Sequence, residues 1–178
     1  MQTPAITTPL SALIRTTLFV RDRQRAKAFY VALGFTELYF EGVLEHPSAS
    51  LVLGFTEVSP YPVTILKVPG PNMGMLGLFE LPHSTAAQPP KTGAAQTGEA
   101  AQIFYVADFD SVLPQLKAAG ASWLPEPITF ELGHFKHREI CLRDADGFLL
   151  NLIERNPEDQ HLSGPEMPFT PLDGLIKP

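Results

Sequence analysis

Between residues 131 and 139 the chain places Glu131, His134, His137, Arg138 and Glu139 within nine positions. Imidazole titrates near neutrality, so His134 or His137 is suited to general acid–base work. The permanent cation of Arg138 suits an enolate or carboxylate oxygen. Whether these groups act together depends on the backbone that carries them. Residues three apart on a strand point to opposite faces, so the two histidines converge only if the stretch loops. Pro127 and Gly133 would permit a loop, and a metal held by these His and Glu side chains is the minor alternative. The plainer reading leaves one His facing a cavity and the other facing solvent. His46, His83 and His161 fall in turn, linker and tail contexts and read as solvated.

The segment from Arg138 to Glu154 reads as strand, tight turn, strand. Asp144, Asp146 and Gly147 supply the turn, because Asp side chains bond nearby backbone and Gly accepts positive φ without steric cost. Cys141, the single cysteine, lies in an apolar run and reads as a structural thiol that cannot staple the fold.

Earlier in the chain, Ile14 to Val20 is β-branched and aromatic and reads as a strand. Asp22 then caps a helix whose apolar stripe is Ala26, Phe29, Tyr30 and Leu33, and Gly34 stops it. Phe35 to Phe40, Ser50 to Phe55 and Val63 to Val68 read as three further strands, giving a βαβββ module over residues 14–81. Residues 82–100 turn to Ala, Gln, Thr, Gly and Pro with no apolar repeat and read as an unpacked linker. The pattern then returns over residues 101–156: Gln102 to Val106 as a strand, Asp108 as cap, Val112, Leu116 and Ala119 as stripe, Gly120 as stop. Asp22 to Gly34 and Asp108 to Gly120 have the same spacing, and Gly74 to Glu80 matches Gly147 to Glu154 in ending. An internal repeat of this kind fixes the architecture. The expected fold is α+β: two tandem βαβββ modules forming a curved mixed sheet around a central cavity. Residues 1–13 form an arm, and the Pro-rich stretch 157–178 forms a tail without regular structure.

Composition narrows the function classes. A chain of 178 residues with 44% hydrophobic content can bury a sizeable core. A net charge of -6 argues against nucleic acid as a partner. Neither a basic amphipathic face nor a run long enough to span a bilayer is present. Without a signal-like N-terminus, and with one thiol, the expectation is a cytoplasmic protein.

The elements Val20 to Asp22, Phe29 with Tyr30, Gly34 with Phe35, and Asp144 to Gly147 resemble those of the vicinal oxygen chelate superfamily, which includes glyoxalase I, bleomycin-resistance proteins and extradiol dioxygenases. The resemblance spans about residues 14–155. It implies that metal-dependent relatives place one ligand at the start of each module's first strand and another on its last strand, around a divalent ion that polarises the substrate. Those positions correspond here to Arg15, Ala101, Asn151 and the neighbourhood of Gly77. Ala and Gly have no donor, Arg is a cation, and Asn alone is a poor ligand, so no metal and no other cofactor is expected.

If the resemblance also sets the inward direction, Arg15, Thr17, Phe19, Tyr105 and Asn151 line a largely apolar cavity that takes a small molecule. The alternative makes Arg15 a surface charge and Tyr105 a core aromatic. Two functions follow as expectations. One is a metal-independent lyase or isomerase acting on a small aromatic or carbonyl compound, with His134 or His137 as acid–base and Arg15 or Arg138 as oxyanion partner. The other is a bleomycin-resistance-like drug-binding protein. A metal-dependent enzyme with displaced ligands is a further alternative. Whether the modules pair within one chain or between two chains of a homodimer is left open by the linker's length.

Overall fold

A computed structural model describes residues 11–82, 89–132 and 135–160. The first module runs β1 (Arg15–Val20), α1 (Arg23–Leu33), β2 (Glu37–Leu44), α2 (Pro47–Val52), β3 (Tyr61–Lys67) and β4 (Met75–Glu80). The second runs β5 (Ala101–Val106), α3 (Phe109–Ala118), β6 (Ile128–Leu132), β7 (Phe135–Arg143) and β8 (Leu149–Glu154). Each builds a four-stranded mixed sheet, ordered β1-β4-β3-β2 and β5-β8-β7-β6, whose first and last strands pair in parallel. The fold is α+β, and the repeat read from the sequence is a repeat of structure.

The start of each helix is fixed twice. Asp22 accepts the N–H of Arg25, and Asp108 that of Asp110, as N-caps do. In addition, Glu80 at the end of β4 accepts the N–H of Arg23 at 2.9 Å, and Glu154 at the end of β8 accepts that of Phe109 at 2.8 Å. The shared Glu ending of the two repeats therefore ties the last strand of each module to the positive end of its helix.

Residues 50–55 correct the sequence reading. They do not form a strand but belong to α2 and the turn after it. His46 begins the helix by accepting the N–H of Ser48, and Pro47 stands in its first turn, where a missing N–H costs nothing. The apolar content that suggested a strand is used differently: Ala49, Leu53 and Phe55 pack on Tyr61, Val63, Ile65 and Met75. Period alone does not separate a short helix from a strand in so brief an apolar run.

The two modules meet through their helix-covered faces. One core joins Leu18, Ala26, Phe29, Tyr30 and Leu78 of the first to Phe109, Leu116, Ile140, Leu150 and Leu152 of the second. Phe35 and Phe104 meet edge to face across the seam, with ring centres 5.6 Å apart. Tyr30 donates its hydroxyl to Asp144 at 2.8 Å, and Arg21 pairs with Asp146 at 2.9 Å. Asp144 also accepts the N–H groups of Asp146 and Phe148. Burial outweighs these hydrogen bonds and pushes its carboxyl up to about 6. Burial, followed by the same carboxylate, raises the Tyr30 hydroxyl well above the usual phenol range.

The latter half of the linker is not loose. Arg143, fully buried, donates to the carbonyls of Gly93, Ala94 and Gly147 and to the carboxylate of Glu99. Ser122 donates its hydroxyl to the carbonyl of Lys91. The chain here lies so close to the β7–β8 turn that a Cβ on Gly147, where φ is 91°, would stand 2.3 Å from the Lys91 nitrogen. Only glycine fits that position.

Candidate functional site

The face of each sheet away from the shared core carries the side chains with chemical potential. On β1, Leu18 and Val20 are buried in the core while Arg15, Thr17 and Phe19 point the other way. Thr17 pairs with Gly77 and, in the second module, Ile103 pairs with Asn151. The registers are equivalent, so Gly77 and Asn151 occupy corresponding places.

In the first module the space over Gly77 is taken by Arg15. A Cβ at position 77 would lie 3.0 Å from Arg15 Cδ and 3.3 Å from Thr17 Oγ1, so glycine lets the Arg15 stem cross the sheet. Arg15 borders an open groove of about 600 Å³ with Leu13, Ile14, Thr17, Tyr39 and Met75. Phe19 stands edge to face on Phe79 beside it, at 6.2 Å. The guanidinium is exposed in the single chain and makes no ion pair among the described residues.

In the second module β7 alternates in the same way. His137, Glu139 and Cys141 share the outward face with Asn151 and Tyr105. His137 Nε2 lies 2.9 Å from one oxygen of Glu139, whose other oxygen accepts the Asn151 amide at 2.8 Å. Phe130 stacks on the His137 ring with centres 5.4 Å apart. Arg155 covers the Tyr105 ring and donates to its hydroxyl. Cys141, read from the sequence as structural, is exposed, with its sulfur 3.5 Å from the Asn151 amide nitrogen.

Arg138 does not join this group. It leaves β7 on the helix side, where it pairs with Asp110 and Glu154 and lies over the Phe109 ring at 5.5 Å. Those carboxylates hold its proton more firmly than usual, Asp110 first. Strand alternation separates it from His137, and two neighbouring residues that looked like one catalytic pair serve two faces. His134 lies outside the described residues, as do His83 and His161. Glu131 pairs with Lys136.

The sequence reading considered Glu139 only as a ligand in the metal alternative and gave it no part as the partner of His137 and Asn151. A signal was available: His137, Glu139 and Cys141 recur at a period of two, which puts all three on one face of a strand.

The donor set does not fit the divalent ion that metal-dependent relatives hold. Gly77 and Ala101 offer no atom, Arg15 fills the space above Gly77, and Asn151, whose amide nitrogen donates to Glu139, is left as a single neutral oxygen donor. Among the described residues no three His, Cys, Asp or Glu side chains gather as a metal site would require. No helix among them is long and apolar enough to cross a membrane.

Residues 12–152 match the family model described as the glyoxalase/bleomycin resistance protein/dioxygenase superfamily. Among solved structures, a glyoxalase family protein from Bacillus cereus superposes with a TM-score of 0.58 at 17% identity, over 85% of this chain and 97% of that one. A member of the same superfamily from Sphaerobacter thermophilus gives 0.52 at 21% identity, over 82% and 98%. No curated protein matches the chain in sequence.

Proposed function

The chain belongs to the glyoxalase/bleomycin resistance protein/dioxygenase superfamily, and on that premise we propose that it binds a small aromatic or carbonyl-bearing molecule and catalyses proton transfer on it without a metal, with a lyase or isomerase outcome. The observation that carries this reading is the hydrogen-bonded row His137, Glu139 and Asn151 on the open face of the second module. A carboxylate beside an imidazole orients the ring and favours the cation that forms when the ring takes a proton. With Nε2 donating to Glu139, the lone pair of Nδ1 is directed to the ligand and accepts a proton from carbon next to a carbonyl. The electron pair left behind moves onto the carbonyl oxygen as an enolate, which needs a cation or a hydrogen-bond donor beside it; Arg15, on the open face of the other module, does not reach it within one chain. His137 then returns the proton to a different atom, or a leaving group departs. The single thiol and the acidic charge fit a cytoplasmic setting for such a protein.

Solvent-deuterium exchange into a panel of small carbonyl acids, followed by proton NMR, tests the reading. Exchange with wild type that falls at least about a hundredfold in His137→Gln supports it. Elemental analysis of protein purified without chelator is the second measurement, and about one equivalent of zinc, iron, nickel or manganese would defeat the metal-free mechanism.

The exposed aromatics favour a second reading. Phe19, Tyr39 and Phe130 lie on the open faces, as a drug-binding relative of the bleomycin-resistance kind would need. Ligands that raise the melting temperature without any exchange would decide for binding alone.

A further inference from the structure

An enolate formed by His137 needs its charge met on the face where it forms, and that face carries a second polar cluster. On β8, Leu150 and Leu152 enter the core, so Asn151 and Ile153 point to the open side, and Arg155 follows them at the same period. Its N–H donates to the carbonyl of Val106, which keeps this end of the chain in the ladder beside β5. From there the guanidinium lies over the Tyr105 ring, 5.0 Å from its centre, and donates to the phenol oxygen at 3.4 Å. We infer that the Tyr105 hydroxyl, positioned by Arg155, holds the anionic oxygen of the ligand on the same open face as His137, so that base and oxyanion contact belong to one module of one chain.

The strand register sets the two groups a small ligand's length apart. Ile153 pairs with Tyr105 on one side and with Glu139 on the other, so the three side chains cross the sheet in one row. With neighbouring strands about 4.8 Å apart, Tyr105 stands roughly 10 Å from Glu139 along that row. His137 is bonded to Glu139 at 2.9 Å, and half-buried, apolar Ile153 floors the gap. A ligand of a few carbons then lies on Ile153 with its acidic C–H toward Nδ1 of His137 and its carbonyl oxygen toward Tyr105. The phenol oxygen accepts from the guanidinium, so what it offers a ligand is its O–H. A donor polarised by a neighbouring cation binds an anionic oxygen more strongly than a neutral one, which favours the enolate over the ketone it forms from. Arg138 and Arg143 are committed elsewhere, to Asp110 with Glu154 and to Glu99; Arg155 brings positive charge to this face.

The inference rests on the functional reading for the enolate; the contact itself is tested with para-nitrophenolate, a planar oxyanion that undergoes no reaction and whose absorbance reports its ionisation. Wild type should bind the dye as its yellow anion and move its colour change to lower pH. Tyr105→Phe keeps the ring under Arg155 and removes only the O–H. In that variant the dye should bind at least about tenfold more weakly and its colour change should return to the free value, with circular dichroism and melting temperature unchanged. Arg155→Met should weaken the dye in the same direction, and Arg155→Lys should restore part of the loss. A merely structural Arg155 would lower the melting temperature and leave the bound dye's colour change in place. No binding by wild type would overturn the inference, and so would equal binding with an equal colour shift in Tyr105→Phe. The two readings fail separately. Deuterium exchange lost in His137→Gln, alongside dye binding that ignores Tyr105, defeats the oxyanion contact and keeps the proton transfer. Dye binding lost in Tyr105→Phe, without exchange on any carbonyl acid, defeats the proton transfer and keeps the contact.

Discussion

Arg143 and Glu99 form a two-pronged pair, with guanidinium-to-carboxylate distances of 2.8 and 3.1 Å, at a point where the guanidinium has no contact with solvent. This pair turns the end of the interdomain segment into part of the second module. A guanidinium buried with its partners satisfied is tolerated, but removing it leaves several acceptors unpaired.

Arg143→Met should therefore release the segment around Lys91. Trypsin should cleave after Lys91 in the variant under conditions that leave wild type intact, and the melting temperature should fall by several degrees. Equal resistance in both proteins would show that Ser122 and the β7–β8 turn hold the segment without Arg143.

Two carboxylates make stability respond to pH in opposite directions. Arg143, followed by Lys91, holds Glu99 down to about 2. Its folded value is below its unfolded one, so its contribution is present above the unfolded value and is lost as pH falls from about 4.5 through about 2. Asp144, pushed up to about 6 by burial, has the reverse sign. Its folded value exceeds its unfolded one, so the fold loses stability as pH rises from about 4 to 6, on the order of 3 kcal/mol. Asp144→Asn keeps an acceptor for the turn and should remove that decline. Thermal unfolding of both proteins between pH 4 and 8 checks this; parallel curves would mean that the carboxylate titrates normally.

Arg138 serves stability. Arg138→Ala should lower the melting temperature by a few degrees and leave ligand binding and exchange activity unchanged, because its partners Asp110 and Glu154 lie on the helix side. Loss of activity with the fold intact would return it to the site.

The paired Glu endings predict parallel costs, with Glu154 the larger because it also pairs with Arg138. Glu80→Ala and Glu154→Ala each remove a charged acceptor from the first turn of a helix and should destabilise by about 1 to 2 kcal/mol. Urea unfolding of each variant measures it, and a neutral result for either would show that water replaces the carboxylate at no cost.

Arg15 separates the functional readings. Arg15→Ala should leave the melting temperature within about 2 °C of wild type, since surface changes cost little, and should abolish stabilisation by small aromatic acids in a thermal-shift screen. Equal stabilisation of both proteins would make Arg15 a surface charge.

The repeat, the capped helices and the Asp144–Gly147 turn were legible in the sequence because each depends on local chemistry: a cap, an apolar period, a residue that accepts positive φ. The pairing of Gly77 with Asn151 as equivalent positions was legible for the same reason, since strand register follows from matching ends. Other features depend on contacts between distant segments. Residues 50–55 became the end of α2 and the turn after it because Ser50, Leu53 and Phe55 found partners around Tyr61, which no local pattern specifies. Adjacent in sequence, His137 and Arg138 were assigned to opposite faces once Asp110 and Glu154 stood on one side and Glu139 and Asn151 on the other. The seam between the modules was decided by tertiary packing as well. Tyr30, Phe35 and Phe104 pack edge to face where the helix sides of the two modules come together, and that packing turns the two candidate faces outward.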